Sequence, residues 1–286
     1  MSIGSTAAPL TADVTRPHAR SSRALLPSGP LHCMPRFSAV SMSPPVRLAH
    51  RVSALFGCSR AEAEQYIRNG WVTVEGDVIE APQHKVTTER VELDPEARLE
   101  PVEPATILLH KPSGFDAIDG RSPASVLVRS DTRWADDASG VRLLRRHLHR
   151  LTPLVSMDAE ASGLMVLTQD GRVWRRLTED ADLIEHEYIV EVAGDIVPYG
   201  LRKLNHGLSL NGRELPPCKV SWQSETRLRF AIKGVRDGQL RAMCAQVRLN
   251  VLSIRRLRIG KIGLGKGANG PMPPGAWRYL PVGEKF

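Results

Sequence analysis

The chain has 286 residues, 42% of them hydrophobic, enough for two domains with a core in each. Lys and Arg outnumber Asp and Glu by 39 to 31, a formal net charge of +8, which favours a polyanionic partner, nucleic acid being the commonest. No apolar run approaches the roughly 20 residues that a membrane-spanning helix needs, and Cys33, Cys58, Cys218 and Cys244 form neither a C-x-x-C pair nor a Cys/His cluster of zinc spacing. The cysteines read as free thiols in a reducing compartment, so the protein is expected in the cytoplasm.

Residues 1–43 are rich in Ser, Pro, Ala and Arg and show no helical or strand period. They read as a disordered tail. The composition also suits an organelle transit peptide, and Met42 offers an internal start.

From Pro44 to Pro95 a small module is predicted. Leu48, Val52, Leu55 and Phe56 recur at helical spacing as one apolar stripe, with Arg47 and Arg51 on another face. Ser59-x-x-Glu62 is a capping-box pattern that opens a second helix through Ala63, Tyr66 and Ile67, and Gly70 is suited to end it. Trp71 to Val74, a turn at Glu75-Gly76-Asp77, and Val78-Ile79 read as a hairpin, with a further strand at Val91 to Leu93. Residues 96–104 are Pro- and Glu-rich without period and read as a linker.

A second domain is predicted over 105–286. It opens with the apolar strand Ile107-Leu108-Leu109 and then Lys111-Pro112-Ser113-Gly114. At its centre lies Asp158 in a small-residue loop, followed by Ser162-Gly163, the run Leu164 to Leu167 and the turn Gln169-Asp170-Gly171. A carboxylate before a buried strand is a plausible reactive group, and a tight turn into a strand also carries Asp and Gly for structural reasons; the local pattern admits both. Gly171 to Thr178 reads as a helix, Glu187 to Val192 as a strand, and the segments around Leu208–Leu210, Lys219–Trp222 and Leu228–Ile232 as further antiparallel strands. Asp237 is placed to cap a helix through Val247 with Leu240, Met243, Cys244 and Val247 as its buried stripe. Val251 to Gly260 forms a late strand. His147 and His149 have no carboxylate partner at metal spacing, so no metal is assigned.

The pattern D-x-x-x-S-G-L-x-x-L-T-x-D-G from Asp158 to Gly171 resembles the signature of bacterial pseudouridine synthases of the ribosomal small-subunit and large-subunit-F types. Lys111, Pro112 and Gly114, the Tyr188 strand, the Gln239 to Met243 segment, Ile254 to Gly260 and Gly275-Ala276-Trp277-Arg278 resemble further family segments. The 59–76 pattern S-R-A-E-A-x-x-x-I-R-x-G-x-V-x-V-x-G is similar to the S-four-type RNA-binding module. The resemblance implies an α+β protein: a small helix-helix-hairpin module followed by a mixed, mainly antiparallel sheet with flanking helices. It implies an isomerase with Asp158 as nucleophile, Arg241 as its ion-pair partner and Tyr188 against the target base. It also implies no cofactor, a monomer, and structured RNA, ribosomal RNA foremost, as partner. RNA contacts are expected from Arg47, Arg51, Arg60 and Arg68 on the module and from Lys111, Arg256 and Arg258 on the second domain. The chain departs from the family pattern at Ser156, where an Arg is usual, at Ala161 (Thr), at His186 (Lys) and at Ala242 (Arg). A non-catalytic RNA-binding or ribosome-assembly protein on the same fold is the alternative; a DNA-binding regulator fits the charge alone.

Overall fold

The computed structural model describes residues 44–286 apart from 119, 207 and 211; the tail expected over 1–43 lies outside the described residues. The first module is built by two helices, α1 (Leu48–Phe56) and α2 (Arg60–Arg68), and a three-stranded antiparallel sheet of β1 (Val72–Val74), β2 (Asp77–Val78) and β3 (Val91–Leu93), with β1 central. The capping box forms as the sequence predicts. The Glu62 amide donates to the Ser59 hydroxyl at 3.2 Å, and the Ser59 amide donates to the Glu62 carboxylate at 2.7 Å, so two orphan donors of the helix start are satisfied. Leu48, Val52, Ala63, Ile67, Val72 and Val74 make the module's core. Leu55 and Phe56 do not belong to it. They are 49% and 41% exposed in the last turn of α1, which ends at Gly57 in the left-handed region.

The second region is a nine-stranded sheet. Its strands in chain order are β4 (Thr106–Lys111), β5 (Thr152–Leu154), β6 (Ser162–Thr168), β7 (Glu185–Ala193), β8 (Lys219–Ser224), β9 (Arg227–Lys233), β10 (Asn250–Ile259) and β11 (Trp277–Tyr279), with the short Ile262–Gly263 strand on β10. The spatial order is β8-β9-β7-β10-β6-β4-β11, with β5 also on β6. Every pairing is antiparallel except β10 with β6, where Arg255 lies opposite Ser162 and Arg256 opposite Gly163. The fold is therefore α+β with a mainly antiparallel sheet. The helices α4 (Gly200–Asn205) and α5 (Gln239–Gln246) close one face around Leu109, Met165, Val190 and Phe230; α3 (Gly171–Thr178) closes the other around Leu108, Leu164, Val166 and Ile259.

Asp237 does not cap α5. The N-cap is Gly238, at φ +74, and no side-chain cap bond forms. The positive φ of a glycine turns the chain into the helix and leaves the Asp237 carboxylate free to bond elsewhere.

Residues 44–286 behave as one compact unit, and the 94–104 segment is not a loose tether. Gln65 donates to the Leu99 carbonyl at 2.8 Å and Asn69 to the Glu100 carbonyl at 3.0 Å. Arg142 adds a bolt between the regions. Its guanidinium lies 3.9 Å over the Trp71 ring, donates to the Gly70 carbonyl at 2.7 Å and pairs with Asp94. Gly70 is needed there: a Cβ on it would meet the Leu144 side chain at 2.6 Å.

Candidate active site

The site begins at the one parallel join of the sheet. Gly163 has φ +112, and a Cβ on it would stand 2.6 Å from the backbone nitrogen of Arg256 and closer still to its carbonyl oxygen. Only glycine permits this approach of β6 to β10. The join sets Gly163, Arg256 and Tyr188 in one row across three neighbouring strands. The loop 155–161 enters β6 immediately before this row.

Two buried cations hold that loop. Arg256 is fully buried, and its guanidinium donates to the carbonyls of Leu164 (2.7 Å), Val155 (2.8 Å) and Ser156 (3.1 Å). Lys111, also fully buried, donates to the carbonyls of Phe115 (2.6 Å), Ala159 (2.9 Å) and Pro112 (3.1 Å). Burial pushes the Lys111 ammonium down to about 8, with Arg256 adding to the fall and the Asp116 and Asp158 carboxylates opposing it. Both residues are expected from the sequence to touch RNA. Neither reaches the surface; their donors are spent on backbone carbonyls on either side of Asp158. Val155, β-branched and at φ +58, is held in a conformation such residues avoid.

Asp158 thus sits half-buried on a pinned loop. One oxygen accepts the Gly238 amide at 3.1 Å, and the other lies 3.5 Å from Arg241 Nε. Arg241 is shared: its Nη2 lies 3.0 Å from Glu160, a shorter contact than that to Asp158. Glu160 is far more exposed than Asp158, with side chains 80% and 26% accessible, so water screens the Glu160 pair more. Ser156 donates to both oxygens of Asp237, at 3.0 and 3.1 Å. This latch joins the Asp158 loop to the Gly234–Gly238 turn, whose two end glycines both have positive φ. Glu160, Asp237 and the Gly238 amide are not visible as site groups in the sequence; each meets its partner about 80 residues away along the chain.

Tyr188, 4% exposed, lines with Asp158, Ser156, Ala161, Arg236 and Leu240 a small cleft open to solvent. His186 lies two residues away on β7, and its Nδ1 is 3.3 Å from the Tyr188 hydroxyl. Burial, and then Arg256 and Arg258, push His186 down to about 3. The imidazole is therefore neutral at physiological pH, where the family's usual Lys would carry a charge.

The other expected RNA contacts divide. Arg47 is exposed and forms no ion pair among the described residues. Arg60 and Arg68 are exposed but both lean on Glu64, at 3.3 and 2.8 Å. Arg51 is half-buried, with its Nε enclosed and unpartnered. Arg258 is tied to Glu185 at 2.8 Å and Glu187 at 3.1 Å, so its charge is neutralised locally and it makes a poor phosphate ligand. No group of three or more His, Cys, Asp or Glu among the described residues is placed to hold a metal ion.

Residues 105–246 match the family model described as RNA pseudouridylate synthase, and residues 46–91 match the S4 domain. The chain belongs to the RNA pseudouridine synthase family. This synthase is 28% identical over 238 residues to an "Uncharacterized RNA pseudouridine synthase" of Aquifex aeolicus, covering 82% of this chain and 92% of that one. It is 29% identical over 241 residues to the "Ribosomal small subunit pseudouridine synthase A" of Vibrio cholerae, covering 82% and 96%. A solved structure described as "Crystal structure of pseudouridylate synthase" superposes with a TM-score of 0.52 at 20% identity, covering 82% of this chain and 96% of that chain, a likeness of fold. The synthase is thus an isomerase acting on RNA, with an S4 domain preceding its catalytic region. No helix among the described residues is long and apolar enough to cross a membrane.

Proposed function

We propose that this synthase converts one specific uridine of ribosomal RNA to pseudouridine, with Asp158 as the nucleophile. The observation that carries the reading is the convergence of an oriented carboxylate and an aromatic ring on one cleft, with Asp158 held by the Gly238 amide and Arg241. The reaction detaches uracil at its glycosidic carbon and rejoins it through a ring carbon, with no redox change. It needs an ionised carboxylate beside the reacting base, sheltered from water. Arg241 and the Gly238 amide orient the carboxylate, and Lys111 and Arg256 fix the loop that presents it. The base must leave the RNA stack, at a cost of a few kcal/mol that pocket contacts offset; Tyr188 offers the aromatic face.

Ribosomal RNA as substrate is supported by the naming of the Vibrio relative and by the exposed arginines of the S4 domain. The protein is proposed to act as a monomer in the cytoplasm; Cys58, Cys218 and Cys244 are free thiols. Ser156 in place of an Arg favours the rival reading, an RNA-binding protein that has lost the chemistry.

The test is to map pseudouridines by carbodiimide labelling and primer extension in ribosomal RNA from a strain lacking the gene, then to complement with wild type and with Asp158→Asn. One site that vanishes, returns with wild type and stays absent with the near-isosteric variant establishes the activity, the target and the role of Asp158. No change at any site in ribosomal or transfer RNA establishes the rival.

A further inference from the structure

A second concavity lies at the opposite end of β6 from Asp158. Its volume is about 570 Å³ and it shares no lining residue with the Asp158 cleft, from which it is separated by the seven residues of β6, about 20 Å at strand rise. Arg146, His149, Arg150, Gln169 and Trp174 wall it. Trp174 stands on the first turns of α3 and is 44% exposed. The wall is built rather than incidental: Gln169 Nε2 donates to the carbonyls of Arg146 (2.7 Å) and His149 (2.6 Å), which fixes the turn that carries the basic side chains.

The charge balance of this concavity is positive. Its one carboxylate, Asp170, is 13% exposed and is occupied by the Arg172 amide at 2.8 Å and the Arg172 guanidinium at 2.9 Å. Arg146 and Arg150 are exposed and form no ion pair among the described residues. Arg150 also holds φ +53, a left-handed backbone that a non-glycine residue adopts at a cost. The rim touches the S4 domain: Arg146 Nη2 donates to Asn69 Oδ1 at the end of α2, at 3.1 Å. An exposed indole beside two unpaired guanidinium groups, in a space of this size, suits a base that stacks and a phosphate that pairs.

We propose that this concavity is a second RNA subsite that takes an unpaired nucleotide other than the target uridine, its base stacked on Trp174 and its phosphate held by Arg146 and Arg150. It lies against the S4 domain and fixes the register of the RNA relative to the Asp158 cleft. The inference rests on RNA as the partner, not on the chemistry of Asp158. Because stacking reads no base edge, the subsite is tolerant of base identity and demands only that the nucleotide be unpaired.

The test uses the full chain and a 12-nucleotide single-stranded RNA carrying 5-iodouridine, with a blunt RNA duplex of the same length as the comparison. Irradiation is expected to crosslink the single strand to Trp174, located by mass spectrometry, and to lose that crosslink in the Arg146→Ala/Arg150→Ala double variant. Trp174→Ala is expected to weaken binding of the single strand about 10-fold and of the duplex less than twofold, with an unchanged melting temperature because the indole is half-exposed. Crosslinks confined to the S4 helices and the Asp158 cleft, with Trp174→Ala binding within twofold of wild type, overturn the subsite, as does failure of the wild type to bind the single strand. If the crosslink forms while no pseudouridine is made, the subsite stands and the catalytic proposal falls; a pseudouridine made with no crosslink gives the converse.

Discussion

Arg256→Met separates a structural arginine from an RNA-binding one. The substitution keeps the unbranched stem, ends short of the guanidinium carbon and its two terminal nitrogens, and removes three hydrogen bonds of 2.7–3.1 Å from a fully buried position. A buried acceptor left without its donor costs roughly 1–3 kcal/mol. The Leu164 carbonyl inside the sheet suffers the full penalty. The Val155 and Ser156 carbonyls lie nearer the surface, where water takes over part of the bonding. Two gains offset the loss: a buried charge without a carboxylate partner disappears, and Val155 is released from its positive φ. The net cost is about 2–4 kcal/mol, which for a region of this size lowers the melting temperature by roughly 5–15 °C. Calorimetry measures this, and RNA affinity titrated against salt supplies the second readout. A lost phosphate contact would reduce the salt slope by nearly one unit. Arg256→Met is expected to leave the slope unchanged in the protein that remains folded, whereas Arg255→Met, altering the exposed neighbour, is expected to leave the melting temperature unchanged. Normal melting of Arg256→Met together with a slope lower by about one unit would refute the reasoning.

Gly163→Ala forces the β6–β10 join apart and is expected to cost more than about 3 kcal/mol, adding steric overlap to a forbidden φ; urea unfolding measures it, and a loss below 1 kcal/mol argues against the close approach. His186 is neutral in the fold with its pKa near 3, so the unfolded chain takes up the extra proton between pH 6.5 and 3. Stability is present above pH 6.5 and is lost as the pH falls through that window. His186→Gln is expected to flatten this acid limb by a few kcal/mol, while the limb that remains comes partly from His147, which burial pushes down to about 4. Arg142→Ala removes the bolt between the S4 domain and the synthase region; cleavage within 94–104 by limited proteolysis is expected to accelerate several-fold, and an unchanged rate would mean that the remaining contacts suffice.

The elements were legible wherever a local rule decided them. The capping box at Ser59, the β7 strand and the stripe of α5 all appear as the sequence predicts, although β7 is buried along both faces where its sequence alternates. Arg256 was misread because Arg255-Arg256-Leu257-Arg258 looks like a solvated basic run. Strand periodicity carries the correction: successive side chains point to opposite faces, so Arg255 and Arg256 cannot both face solvent. Lys111 carries no such signal; its burial depends on loop carbonyls as far away as Ala159, which only the fold supplies. The expected Asp237 cap lost to Gly238, whose positive φ turns the chain without a side-chain bond. The residues expected from the sequence to be catalytic, Asp158, Tyr188 and Arg241, do come together. Glu160, which competes for Arg241, and the Ser156–Asp237 latch depend on contacts about 80 residues apart and leave no local trace.

The latch beside Asp158 bears on which molecules can be substrates. Any movement of the turn between Gly234 and Gly238 away from the Asp158 loop breaks the Ser156–Asp237 bonds and removes an amide from Asp158. The free energy for such a movement must come from contacts remote from the reacting ring. A mononucleoside or a free nucleotide has few such contacts. An opening that depended on polymer binding would leave soluble uridine compounds outside without asking the pocket itself to discriminate between one uracil and another.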